Sequence, residues 1–211
     1  MSSTEFNAAV ELSLKSTAER LHEEFEGVHP PERIKQLLDD SVRQISRDSK
    51  VESYVPALAE RLCRDRLKAL AHSPGATKTV LFLGLHDSGR GQMAAALMRA
   101  YCGDRIDVSS AATGAFADID PAVREAMQEI EVEFGDAYSK PLTQEVLESA
   151  DVVVTMGRSV GEVTIPPSAR HLDWRIGDPG GADIGEVRLI RDDISRRVRA
   201  LVDELVAEPE S

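Results

Sequence analysis

The chain has 211 residues, 42% hydrophobic content and a formal net charge of -12. That length suits one large domain or a medium domain beside a small one, and the acidic balance opposes non-specific attachment to nucleic acid or an anionic membrane. No apolar run approaches the ~20 residues of a membrane span, and the opening segment lacks the basic end and apolar stretch of a secretion signal, so the expected location is the cytoplasm, with no nucleic acid and no membrane as partner.

Phe6, Val10, Leu14, Ala18, Leu21 and Phe25 recur at intervals of three and four over residues 4–25, one apolar stripe of an amphipathic helix that Gly27 ends. Pro30 and Pro31 suit the first turn of a second helix, striped by Ile34, Leu37, Leu38 and Ile45, with Asp48 and Ser49 near its end. A third helix carries Val55, Leu58, Leu62, Leu67 and Leu70 until His72-Ser73-Pro74-Gly75 breaks it. Residues 1–73 thus read as a small three-helix bundle. Such a unit has little core of its own, so it is expected either to pair with a second copy or to pack on the rest of its chain.

From residue 78 to 207 the pattern changes. Thr79 to Leu83 is an apolar strand, followed by a glycine-containing loop and a helix over 90–101. A strand over 106–111, helices over 121–130 and 142–149, a buried strand over 151–156 and a short strand over 171–174 follow. The last helix carries Ile184, Val187, Ile190, Ile194, Val198, Leu201 and Leu205 on one face, with Asp183 and Glu186 as a capping pair. Alternating strands and helices predict an α/β fold with a parallel sheet flanked by helices.

The loop Gly84-Leu85-His86-Asp87-Ser88-Gly89-Arg90-Gly91 lies between an apolar strand and a helix. Backbone N–H groups and the positive helix end converge at such a place, which favours anions, and Arg90 can grip a tetrahedral oxyanion with two parallel hydrogen bonds. On spacing alone a plain βα connection with a solvated Arg90 serves as well. The string also reads G-x-x-x-x-G-R-G, close to a nucleotide-binding P-loop, but it lacks that motif's lysine and its hydroxyl. Cys63 and Cys102 stand in no metal-ligand spacing and the five histidines are scattered, so neither a metal nor a cofactor is expected.

The stretch from Val80 to Ala94 resembles the signature of arsenate reductases built on the low-molecular-weight tyrosine phosphatase fold, V-L-F-x-C-x-H-N-x-G-R-S-Q-M-A. Val108–Thr113, Asp151–Gly157, Leu172–Trp174 with Asp178-Pro179, and Ile190–Ile194 resemble further segments of that family, and the N-terminal helices resemble an extension carried by some members, apparently for dimerisation. The resemblance implies that the loop amides and Arg90 hold phosphate, arsenate or a sulfate-like anion, and that Asp178 protonates a leaving oxygen. An aspartate before proline also suits a cap on the approach to the last helix.

Three positions depart from the signature. Gly84 stands where the family has its nucleophilic cysteine. Gly91 replaces the hydroxyl that stabilises the thiolate. Asp87 replaces an asparagine and is expected to bring negative charge to the anion's seat. Ser88 has no evident base other than His86, Cys102 falls at the far end of the helix, and Arg158 stands where some members carry another cysteine, so no thiol relay is expected. The expected function is an oxyanion-binding or regulatory relative that has lost covalent chemistry. The alternatives are an active arsenate reductase or phosphatase with a non-standard nucleophile, and a ligand-free structural dimer module.

Overall fold

The computed structural model describes residues 8–48, 52–73, 77–115, 117–135, 137–157 and 163–207. Phe6, Ser49, Pro74-Gly75 and Arg158, all named above, lie outside the described residues. The chain divides after His72 into two compact units.

The first unit holds α1 (Ala8–Glu24), α2 (Pro31–Asp48) and α3 (Val55–Ala71). Pro31 and Pro56 sit in first turns, where no intrahelical donor is needed. Val10, Leu21, Phe25, Ile34, Leu37, Leu38, Ile45, Ala59, Leu62, Cys63 and Leu67 are buried, as their spacing implies. Leu14, Ala18 and Leu58 are only half-buried. Thr17 is buried rather than Ala18, and its hydroxyl donates to Glu60 Oε2 at 3.2 Å. Leu70, in the last turn of α3, is 40% exposed. Arg64 joins α3 to α1 by donating to Glu24 at 2.8 Å, and the buried Arg66 reaches Asp40 Oδ2 at 2.8 Å across to α2. Beside these contacts α1 and α2 leave an apolar groove of about 700 Å³, lined by Leu14, Ala18, Ile34, Leu38 and Val42.

The second unit runs β1 (Lys78–Gly84), α4 (Arg90–Cys102), β2 (Ile106–Ala112), α5 (Pro121–Gln128), α6 (Gln144–Glu148), β3 (Val152–Met156), β4 (Arg170–Trp174) and α7 (Ile184–Ala207). The sheet order is β2-β1-β3-β4, with every pairing parallel. Val80, Phe82, Val154, Met156 and Trp174 form one core with Met93 and Leu97 of α4, Val123 and Met127 of α5, and Ile194 and Val198 of α7. Leu81, Leu83 and Val153, on the opposite face, are also fully buried, so strands this apolar have no solvent side. The parallel α/β sheet flanked by helices is therefore the observed fold, preceded by a helical region.

Caps account for two of the helix boundaries. Asp120 Oδ1 accepts the Ala122 N–H at 2.8 Å ahead of Pro121, and Asp183 Oδ1 accepts the Glu186 N–H at 3.0 Å to start α7. α5 stops at Gln128 instead of reaching Ile130, because Val132 N–H bonds back to Met127 O at 3.1 Å and Glu131 takes a left-handed φ of 57°.

Candidate functional site

β1 lies between β2 and β3, so the chain leaves β1 for one side of the sheet and later returns on the other. The carboxyl end of β1 is therefore a switch point, where parallel sheets open a crevice. The loop 84–91 fills that place. Its first half continues the ladder with the segment after β2: Thr113 N–H donates to Gly84 O at 3.0 Å and Gly114 N–H to Leu85 O at 2.9 Å. Ser139 Oγ donates to His86 O at 2.8 Å, and Asp120 N–H to Ser88 O at 3.0 Å. With these carbonyls engaged on the outside, the loop backbone is held on several sides.

Gly84 closes β1 and is buried. A Cβ built on it would meet only the Asp87 nitrogen, at 3.8 Å, so a side chain has room there. The other loop glycines are confined. A Cβ on Gly89 would stand 2.7 Å from Pro179 Cγ, so the Asp178-Pro179 segment packs on the loop through a position that only glycine fits. A Cβ on Gly91 would stand 3.1 Å from Asp87 Oδ1.

Asp87 takes a left-handed φ of 48°, a region aspartate and asparagine tolerate better than most residues. Its carboxyl does not lie where the sequence places it. Instead of adding charge to an anion's seat, it is turned into the interior, 2% exposed, where Oδ2 accepts from Gln92 Nε2 at 2.9 Å and from Ser110 Oγ at 3.2 Å. Gln92 Nε2 also donates to Tyr138 O at 3.0 Å. Asp87 Oδ1 and Gln92 Oε1, both buried, reach no donor at hydrogen-bonding geometry. Burial pushes the Asp87 carboxyl up to about 7, against the opposing pull of the Lys140 charge and of the Ser110 hydrogen bond. No spacing rule could have found this pocket, because Ser110 and Lys140 come from segments distant along the chain.

Arg90 and Asp178, the residues matched to oxyanion binding and acid catalysis, meet each other. Arg90 Nη2 lies 3.3 Å from Asp178 Oδ2, and Nη1 donates to Ile176 O at 2.9 Å. The guanidinium lies over Gly157, where a Cβ would stand 2.6 Å from Nη1. Asp178 does not cap the last helix, a role Asp183 fills; its other oxygen accepts the Gly180 N–H at 3.1 Å in a tight turn.

The remaining candidates lie apart. The exposed His86 has Nδ1 on Ala115 O at 2.8 Å, which engages that nitrogen away from Ser88. Cys102 is buried at the end of α4 remote from the loop, its thiol raised by burial, and Cys63 is buried in the first unit. Among the described residues, no group of three His, Cys, Asp or Glu is placed to hold a metal, and no helix is long and apolar enough to cross a membrane.

The family model described as low molecular weight phosphotyrosine protein phosphatase matches residues 79–211, the whole span that carries the sheet and the loop. The chain belongs to this family. A second model, protein-tyrosine-phosphatase-like, N-terminal domain, matches residues 14–71 of this phosphatase-family chain. Arsenate reductase 1 of Bacillus cereus is 33% identical over 124 residues, covering 58% of the chain and 92% of that protein. The thioredoxin-dependent arsenate reductase of Corynebacterium glutamicum aligns with 33% identity and a TM-score of 0.80 over 92% of this chain and 96% of its own. An arsenate reductase in the phosphate binding state, 24% identical with a TM-score of 0.54 over 61% of this chain, shares the phosphatase-family fold.

Proposed function

We propose that this phosphatase-family chain holds a tetrahedral oxyanion of the phosphate, arsenate or sulfate class in the loop 84–91 and performs no covalent chemistry on it. It acts as a sensing or regulatory partner in the cytoplasm, paired with a second copy through its N-terminal helices. The supporting observation is the emptiness at Gly84: the strand delivers the chain to the loop with no side chain to attack anything, and only the Asp87 nitrogen faces that space. Gly91 offers no hydroxyl beside it, and both thiols are buried elsewhere. Backbone amides of residues 85–91 supply the donors, and Arg90 turns from Asp178 to the incoming anion.

Calorimetric titration tests the binding half of this reading. Phosphate, arsenate and sulfate are expected to give saturable heat that Arg90→Ala weakens, whereas silence from all three would leave a purely structural module. The chemical half is tested by turnover of an aryl phosphate, and of arsenate with thiol donors, both expected at background.

A second reading, an active arsenate reductase or phosphatase with a non-standard nucleophile, draws support from the similarity to arsenate reductases and from the Arg90–Asp178 pair beside the loop. Turnover above background that survives Ser88→Ala and vanishes with Arg90→Ala would displace the non-covalent reading.

A further inference from the structure

We propose that Asp87 gates the loop: the cradle keeps its oxyanion while this buried carboxyl is neutral and releases it when the carboxyl ionises. The inference rests on the oxyanion-binding reading and adds its regulation.

The geometry supplies three supports. First, Asp87 belongs to both sides of the loop. Its backbone nitrogen faces the open space at Gly84, 3.8 Å from where a Cβ would stand, while its carboxyl is packed behind, so charge on that carboxyl acts on an anion in front. Second, Asp87 Oδ1 points at Gly91, in the first turn of α4, and has no hydrogen-bond partner there. A negative charge at that spot competes with the anion for the same positive helix end. Third, burial outweighs the groups that favour the ionised form. α4 presents Gln92 and β2 presents Ser110, each donating to Oδ2, and the segment before α6 presents Lys140, whose charge and backbone N–H both favour the ionised form. Arg90 is tied to Asp178 and Ile176 instead. Burial raises the group to about 7, so the change of state falls near neutrality.

Two like charges sharing one partly dry site repel by enough to weaken anion binding on the order of tenfold. Binding and proton uptake are linked, so an anion that binds the neutral form on the order of tenfold more tightly raises the Asp87 midpoint by about one pH unit when it saturates the site.

The test uses sulfate, whose own charge is constant over the range, and the full chain. Calorimetry at about pH 5.5 and about pH 8.5 compares wild type with Asp87→Asn, which keeps His86, the other titratable side chain of the loop. Wild type is expected to lose affinity on the order of tenfold, and the variant roughly twofold or less. A carbon-13 titration of the wild-type Asp87 carboxyl, with and without sulfate, needs no variant and is expected to show the midpoint rising by about one unit. Equal losses in the two proteins, or an Asp87 midpoint that sulfate leaves in place while binding is measurable, overturn the gate alone. No sulfate binding by either protein at either pH removes the oxyanion reading and the gate with it.

Discussion

At the scale of single residues, Asp87 and Gly84 make opposite statements. Asp87 has its folded pKa lifted from the ordinary 3.8 to about 7. Between those values the unfolded chain binds fewer protons at this residue than the folded one. Its contribution to stability is thus fully present below about pH 4 and is lost as pH rises through about 7, a change on the order of a few kcal/mol. Urea unfolding at a series of pH values is expected to show wild type weakening relative to Asp87→Asn across that window; parallel curves would mean that Asp87 is not neutral inside the loop. Gly84, by contrast, is an open invitation, since its Cβ position touches only a nitrogen at 3.8 Å. Gly84→Cys is expected to fold as wild type does, but Gly91→Ser brings a Cβ to 3.1 Å from Asp87 Oδ1. Aryl phosphate hydrolysis is expected from Gly84→Cys with Gly91→Ser, and more of it when Asp87→Asn also removes the buried carboxyl's charge from the loop. A folded but inert triple variant would place the loss of activity outside the loop.

At the scale of elements, glycine contacts fix how the Asp178-Pro179 segment and β3 meet the loop. Gly89→Ala drives a methyl to 2.7 Å from Pro179 Cγ, and Gly157→Ala sets one 2.6 Å from Arg90 Nη1 at a φ of 86°. Each is expected to cost about 1–3 kcal/mol in chemical unfolding, and Gly157→Ala should also alter any anion affinity that depends on Arg90. Asp183→Ala removes the α7 cap and should cost about 1 kcal/mol with anion binding unchanged. The strands, α4 and α7 were legible as apolar runs and stripes because local periodicity reports which face is buried. The loop's interior was not legible. Whether the Asp87 carboxyl faces the anion or the core depends on Ser110, Gln92 and Lys140 arriving behind it, and the Arg90–Asp178 pair joins residues far apart in the chain. The aspartate itself carried one readable clue, since it tolerates the left-handed backbone found there.

At the scale of the whole molecule, the α/β class followed from the order of apolar runs, and the N-terminal helices from three stripes. The proposed role of those helices is to pair with a second copy. Leu12 of α1 is 70% exposed, and an apolar groove lies along α1 and α2. The full chain is expected to sediment at twice the mass of one copy, and Leu12→Glu to shift it towards a single copy; one copy for both proteins would refute the pairing. The contact that a side chain at position 91 would make with Asp87 Oδ1, 3.1 Å from its Cβ, also reaches beyond this molecule. A lineage regaining a hydroxyl at 91 has to resettle the side chain at 87 by a few tenths of an ångström, and an asparagine there meets the same contact without the charge.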